Sequence, residues 1–260
     1  MNSMLIRFLE KLYLSLVFMF IALPIAVIIV FSFNEGRFPS FPWSGFSLLW
    51  YEAIFREPMV IDSALNSLIV GLFTAIGATI IGFLAAYLDY RYKFRGKTAF
   101  NLIVIIPPAI PPTVMGIALL AFLARVGMFG ELKSIIVAHV AIASSFAMAL
   151  ISQRLKELDS SIEPASWNLG ATRLQGILFI IIPHCRNAVL AAFFLSFAIS
   201  FDEFMISWFV GGMNETLPVR ILNLLQGQVS PRINAIGTLI FTLTFTLVIS
   251  ALWFMRQKHK

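Results

Sequence analysis

Six long apolar runs dominate this 260-residue chain, at roughly 12–33, 63–89, 100–124, 135–152, 187–209 and 234–255. Each approaches or exceeds the ~20 residues that a helix needs to cross a hydrocarbon core at ~1.5 Å per residue. No water reaches that core, so a spanning segment must satisfy its own backbone N–H and C=O groups, and an isolated run can do so only as a helix. Charged residues make up 12% of the chain and hydrophobic ones 59%, against about 25% charged in soluble domains. The expected fold is therefore an all-α membrane protein with six transmembrane helices, forming a single domain over residues 1–260.

Basic residues orient such a chain, because loops rich in Lys and Arg stay cytoplasmic. With the N-terminus inside, 13 of the 19 lysines and arginines fall on the inner segments and 6 on the outer ones. Both termini and the loop 153–186 are then cytoplasmic, and the net charge of +6 reflects topology and contact with anionic lipid, with no need for nucleic acid. The run 12–33 is too long for the apolar part of a cleaved signal, and Phe31-Ser32-Phe33-Asn34 lacks the small residues of a cleavage site. The lone Cys185 excludes an intrachain disulfide and a cysteine metal site.

Several local patterns bear on packing and chemistry. Gly71, Ala75, Ala78, Gly82 and Ala85 recur every three or four residues in the second run, which places small side chains on one face and lets another helix approach closely. Pro107-Pro108-Ala109-Ile110-Pro111-Pro112 removes four backbone donors from the third run and forbids a continuous helix there. Such a break is tolerated where it is buried in protein or lines a wet pathway, so residues 106–113 are expected to be a bent segment beside the pathway. Gly96-Lys97-Thr98 imitates the end of a phosphate-binding loop, but Arg91 stands where its first glycine is required. His139, His184 and His259 have no metal-binding spacing. No cofactor is expected in this subunit.

The most specific pattern lies in the loop 153–186. It reads Glu163-Pro164-Ala165-Ser166-Trp167-Asn168-Leu169-Gly170-Ala171, followed by Ile180-Ile181-Ile182-Pro183. Ser160-Ser161-Ile162-Glu163-Pro164 offers a hydroxyl or acidic cap, with Pro164 expected at the first helical position. This resembles the cytoplasmic EAA loop of permease subunits in type I ABC importers, whose consensus runs E-A-A, three residues, G, nine residues, I-x-L-P. The resemblance implies a short helix that fits a cleft on a separate ATPase, with Glu163, Ala165, Leu169, Gly170 and Ala171 at the contact. When Gly170 is aligned with the family glycine, the family's glutamate falls on Pro164, and Glu163 lies one position early. The external run Phe46-Ser47-Leu48-Leu49-Trp50-Tyr51 and Asn66-Ser67-Leu68 also look like landmarks of this family, although an interfacial loop anchoring two helices would have the same aromatic content.

The fifth run contains Ser200-Phe201-Asp202-Glu203-Phe204, two adjacent acids in an apolar span. Intramembrane carboxylates are costly enough to be candidate functional groups. Asp202 lies 15 residues along this run, about 22 Å at helical rise, and so in the outer half of the bilayer. Adjacent helical residues point about 100° apart, so one acid would face the pathway and the other would pair elsewhere. Phe201, Phe204 and Trp208 add aromatic faces for an ammonium group. These residues, with Gly211-Gly212, Leu217-Pro218-Val219-Arg220-Ile221 and Val229-Ser230-Pro231-Arg232, resemble spermidine/putrescine permeases.

The resemblance implies inward transport of polyamines by alternating access, in the bacterial inner membrane. It also implies a second, non-identical permease, two ATPase subunits and an external solute-binding protein as partners. The alternatives are a permease for another amine-bearing solute such as an opine, or a membrane-embedded enzyme or passive channel. The topology has a direct test. Cysteines introduced at Ser44 and Asn214 are expected to react with an impermeant thiol reagent from outside, and one at Ser160 to stay unlabelled; external labelling at Ser160 inverts the orientation.

Overall fold

The computed structural model describes residues 3–36, 38, 43–159, 161–227 and 231–257; Ser160, Val229, Ser230 and His259 lie outside the described residues. The helices in chain order are α1 (Ser3–Phe31), α2 (Leu49–Phe55), α3 (Pro58–Arg91), α4 (Lys97–Ile105), α5 (Pro112–Arg125), α6 (Leu132–Leu155), α7 (Ile162–Asn168), α8 (Arg173–Gly176), α9 (Ile182–Asp202), α10 (Met205–Val210), α11 (Leu217–Gly227) and α12 (Pro231–Arg256). A 3₁₀ turn, Pro107–Ala109, joins α4 to α5, and a π-helical turn, Ile177–Ile181, joins α8 to α9. One isolated antiparallel bridge, Asn34 with Phe46, is the sheet-type pairing found among the described residues.

Among the described residues, five helical runs are long and apolar enough to cross a membrane: Ile6–Phe31, α3, α6, the continuous run Arg173–Asp202, and α12. The third expected span is built from two shorter pieces, α4 and α5, separated where the prolines remove donors. The carbonyl of Val104 would normally accept from the N–H four residues on, but that residue is Pro108, which has none. The hydroxyl of Ser145 on α6 donates to the Val104 oxygen at 2.5 Å instead. A neighbouring helix thus supplies the bond that the proline withholds, as an apolar environment requires.

The fifth expected span needs two corrections. Its helix begins at Arg173 and not near residue 187, because Thr172 and Gln175 form a reciprocal capping box that starts a helical turn there. Its outer end is also not continuous through residue 209. The helix stops at Asp202, Glu203 is extended (φ −74°, ψ 115°), and α10 restarts at Met205.

The chain forms two compact units, one of Met1–Ile61 with Ile221–Phe241 and one of Asp62–Arg220 with Thr242–Lys260. In the first, the end of α1 is organised by aromatic and polar contacts from the following segment. Trp50 donates its indole N–H to the Asn34 carbonyl at 2.8 Å, the Ser32 and Tyr51 hydroxyls meet at 2.7 Å, and the Phe33 ring stacks on Phe46. The Phe46-to-Tyr51 run therefore packs back on the residues that follow α1. Glu57 and Arg232 form an ion pair at 2.6 Å in the same unit.

In the second unit α6 is the central rod, with one apolar core at each end. One core gathers Ala85, Ala86, Tyr87, Ala147, Ile151, Leu155, Ile181 and Cys185; the other gathers Val70, Leu123, Ile135, Ala138, Ile206 and Val210. The small-residue face of α3 lies against α6 and α9. A Cβ built on Gly82 would stand 2.6 Å from the Ala147 Cβ and 2.7 Å from the Met148 backbone nitrogen. One on Gly77 would meet a Val140 methyl at 3.0 Å, and one on Gly71 the Phe197 ring at 3.1 Å. Between lipid-exposed helices packing, not apolar burial, drives association, so these absent side chains set how close α3 lies.

Gly82→Ala is expected to destabilise the folded subunit by about 1–3 kcal/mol, because its methyl group meets backbone that cannot swing aside. Gly77→Ala meets only a mobile valine methyl and should cost less. Thermal unfolding of the detergent-purified protein measures both, and an equal or larger loss at Gly77 contradicts the close α3–α6 approach at Gly82.

Candidate functional site

Among the described residues, two places combine polar chemistry with unusual backbone: the short helix α7 and the break between α9 and α10. Helix α7 starts after Ser161, whose side chain makes no capping bond; the Ser161 N–H donates to the Asp159 carboxylate at 2.9 Å. That bond holds the Asp159 carboxyl below its usual range. The expectation that Pro164 opens the helix is corrected: it is the third helical residue, still within the first turn, where its missing N–H has no intrahelical role. The helix closes on a paired-bond turn in which Gly170 donates to the Trp167 carbonyl at 2.9 Å and Ala171 to that of Ser166 at 3.0 Å. Gly170 has φ +90°, the left-handed geometry that this closure demands and that other residues resist.

Positions four apart share a helix face, so α7 has two distinct sides. Ala165 and Leu169 lie on one, both exposed, Leu169 to 90%. Gly170 is exposed as well, and Ala171 is half-buried. Glu163 and Trp167 lie on the other. The expectation that Glu163 reaches outward is corrected: it is 1% exposed and belongs to the interior. Its Oε1 accepts from the Tyr87 hydroxyl at 2.5 Å, and its Oε2 lies 3.1 Å from Nε of Arg91. A buried carboxylate persists only when paired and hydrogen-bonded, and the last two turns of α3 supply both partners. The Arg91 guanidinium also lies 4.6 Å from the centre of the Trp167 ring, and Arg173 lies 5.9 Å from it.

At the second place, Glu203 explains why the helix is interrupted without proline or glycine. Its carboxylate accepts the Ile206 N–H at 3.0 Å, and its carbonyl accepts from the Ser207 hydroxyl at 3.0 Å. A negative group at the start of α10 satisfies a donor that the break would leave open and complements the helix dipole. The expectation of two acids side by side on one regular helix is therefore corrected. Asp202 is the last residue of α9, is exposed, and has no hydrogen-bond or ion-pair partner among the described residues.

His139 pins this break from α6. It is 2% exposed, and its Nδ1 lies 2.8 Å from the Ser200 hydroxyl while its Nε2 lies 3.0 Å from that of Ser207. One ring thus bonds to residues on both sides of the interruption. Spacing could not reveal this role, because the three residues come from separate helices. His139 is seven residues from Leu132, about 10 Å along α6. From there α10 runs on to the start of α6, where the Val210 carbonyl accepts from the Ser134 hydroxyl at 2.9 Å and the Gly130 N–H at 3.2 Å.

The aromatic residues expected beside the acids divide. Phe201 is buried, with its ring stacked against Phe197; Phe204 is half-buried; Trp208 is exposed and packs beside Phe209. The proline-broken and acid-broken elements are neighbours, since a Cβ on Gly116 of α5 would stand 2.6 Å from the Phe209 ring of α10. Chemically, this arrangement offers an unpaired carboxylate at a helix C-terminus, where the terminal carbonyls carry partial negative charge. Both features attract cations.

Comparison with known proteins places this architecture. A family model described as a binding-protein-dependent transport system inner membrane component matches residues 78–258. A spermidine/putrescine transport system permease protein, PotC of Haemophilus influenzae, is 35% identical over 97% of this chain and 98% of its own length. A putrescine transport system permease protein, PotI of Escherichia coli, is 33% identical over 87% of this chain and 83% of its own length. A crystal structure of a bacterial ABC transporter that imports alginate superposes with a TM-score of 0.71 at 15% identity, covering 99% of this chain and 96% of the other. An inward-facing methionine ABC transporter, MetNI, superposes with a TM-score of 0.63 at 18% identity, over 77% of this chain and 97% of the other. The family match and the near-full-length relatives together establish that this chain belongs to the binding-protein-dependent transport system inner membrane components, as a type I ABC importer permease.

Proposed function

We propose that the chain is a permease subunit that carries polyamines such as spermidine and putrescine inward across the bacterial inner membrane. It works beside a second permease, with two ATPase subunits hydrolysing ATP on the cytoplasmic side and an external binding protein delivering the solute. Both termini are cytoplasmic and the chain crosses the membrane six times, α4 and α5 together making the third crossing. The subunit itself holds no cofactor. What supports the choice of solute is the unpaired Asp202 at the C-terminal end of α9, beside the names borne by the relatives. The end of a broken membrane helix concentrates carbonyl dipoles of negative sign, which suit a cation in transit. Trp208 supplies an exposed aromatic face for an ammonium group.

Transport follows from alternating access. The exposed face of α7, with Ala165, Leu169 and Gly170, seats in the ATPase, and ATP-driven closure moves α7. The break at Asp202 then opens outward to receive polyamine from the binding protein. Glu203 and His139 keep the two half-helices together during this change, while Asp202 meets the cargo.

Replacing Asp202 by Asn keeps the shape and removes the charge, so spermidine uptake is expected to fall about tenfold, equivalent to about 1.4 kcal/mol. Glu203→Gln keeps an oxygen that can accept the Ile206 N–H and should lower uptake less. Radiolabelled uptake in cells with matched membrane expression measures both. Wild-type uptake by the Asp202 variant, or a larger loss at Glu203 than at Asp202, contradicts the role given to Asp202.

A further inference from the structure

The two-sided construction of α7 separates gripping a partner from passing on its motion. Ala165 and Leu169 face outward, whereas Glu163 and Trp167 face α3. Glu163 has both carboxylate oxygens committed to residues four apart on α3, Tyr87 and Arg91. Glu163 is buried and Arg91 partly exposed, so pulling them apart leaves the buried carboxylate uncompensated, and the contact resists separation. The neighbouring contact of Arg91 with the Trp167 ring fixes the same face of α7 one turn further along. A displacement of α7 must therefore displace the end of α3.

Helix α3 carries that displacement across the unit. From Arg91 to Gly71 is 20 residues, about 30 Å of helix. Along this length α3 lies against α6 at Gly82 and Gly77 and against the Phe197 ring of α9 at Gly71. Phe197 in turn stacks on Phe201, the residue before Asp202, with ring centres 6.1 Å apart. A continuous line of close contacts thus runs from Glu163 to the break in α9. These contacts leave little slack, because the glycine faces have no side chain that could rotate out of the way.

We infer that Glu163 is the strut through which α7 drives α3: a positioning residue internal to this subunit, and not a contact to the ATPase. This rests on the docking role proposed for the outer face of α7. It assigns energy transmission to Tyr87, Arg91 and Glu163, and leaves recognition of the ATPase to Ala165, Leu169 and Gly170.

The test uses the complete transporter, with both permeases, the ATPase subunits and the binding protein, reconstituted in proteoliposomes. Glu163→Gln and Tyr87→Phe are compared with wild type for ATPase co-purification, ATP hydrolysis and spermidine taken up per ATP hydrolysed. ATPase subunits are expected to co-purify in full, while uptake per ATP falls about tenfold for Glu163→Gln, the scale of one lost charge-assisted hydrogen bond, and less for Tyr87→Phe. The double variant should be no worse than Glu163→Gln alone, because both changes disable one contact. Loss of the ATPase from Glu163→Gln but not from Tyr87→Phe overturns the strut and makes Glu163 a direct contact. Unchanged uptake per ATP in both variants also overturns it. If Glu163→Gln does not accumulate in the membrane, Tyr87→Phe decides alone by the same ratio. Gly170→Asp runs alongside: full ATPase association and full uptake there refute the docking role of α7 itself, whatever Glu163 does.

Discussion

Everything in this fold answers to one constraint: a backbone in hydrocarbon cannot leave its N–H and C=O groups without partners. Where the helices are regular, the constraint is met locally. The informative places are the two interruptions, because each recruits a partner from elsewhere. At the proline break, Ser145 of α6 bonds the Val104 carbonyl that Pro108 cannot reach. At the acid break, Glu203 accepts the Ile206 N–H, and His139 of α6 bonds Ser200 and Ser207 on either side. Helix α6 therefore holds both interruptions, and α5 and α10 meet beside it at Gly116 and Phe209. Two breaks held by one rod make a place where a pathway can form without exposing unsatisfied backbone to lipid.

The same economy of polar groups separates the two acids that stand side by side in the sequence. Glu203 is occupied with ending one helix and starting the next, and Asp202 is left without a partner among the described residues. On α7, likewise, the acid is consumed by internal structure and an apolar tip is left for contact. In both places one carboxylate is bound within the fold, Glu203 to backbone and Glu163 to side chains of α3, and the group beside it remains available.

Much of this was legible in the sequence. Apolar run lengths pointed to the five long apolar helices found among the described residues, four prolines marked the first break, and the spacing of Gly71, Gly82 and Ala85 marked the close face of α3. The spacing of Gly170 from Pro183 carried the family resemblance, and the left-handed turn at Gly170 is where the sequence placed it. The second break was not legible, because no glycine or proline marks it and a glutamate normally signals an exposed surface, not a cap inside a span. The start of the fifth helix was misplaced for a related reason: His184, Arg186 and Asn187 look like an interface, yet the helical run continues through them from Arg173. The burial of Glu163 was invisible because Tyr87 lies 76 residues away. Local patterns show where a helix can form; they do not show which distant side chain will neutralise a charge.

In the proposed transport cycle a cation moves through this subunit only when a separate ATPase moves α7. Its most direct test is transport by the wild-type assembly in sealed proteoliposomes loaded with or without ATP. Labelled spermidine is expected to accumulate against its gradient only when ATP and the binding protein are both present, and an anion of similar length is expected not to accumulate. Spermidine flux that needs neither ATP nor the binding protein would make the protein a passive channel, and accumulation of the anion at a matching rate would contradict the assignment of Asp202 to a cationic cargo.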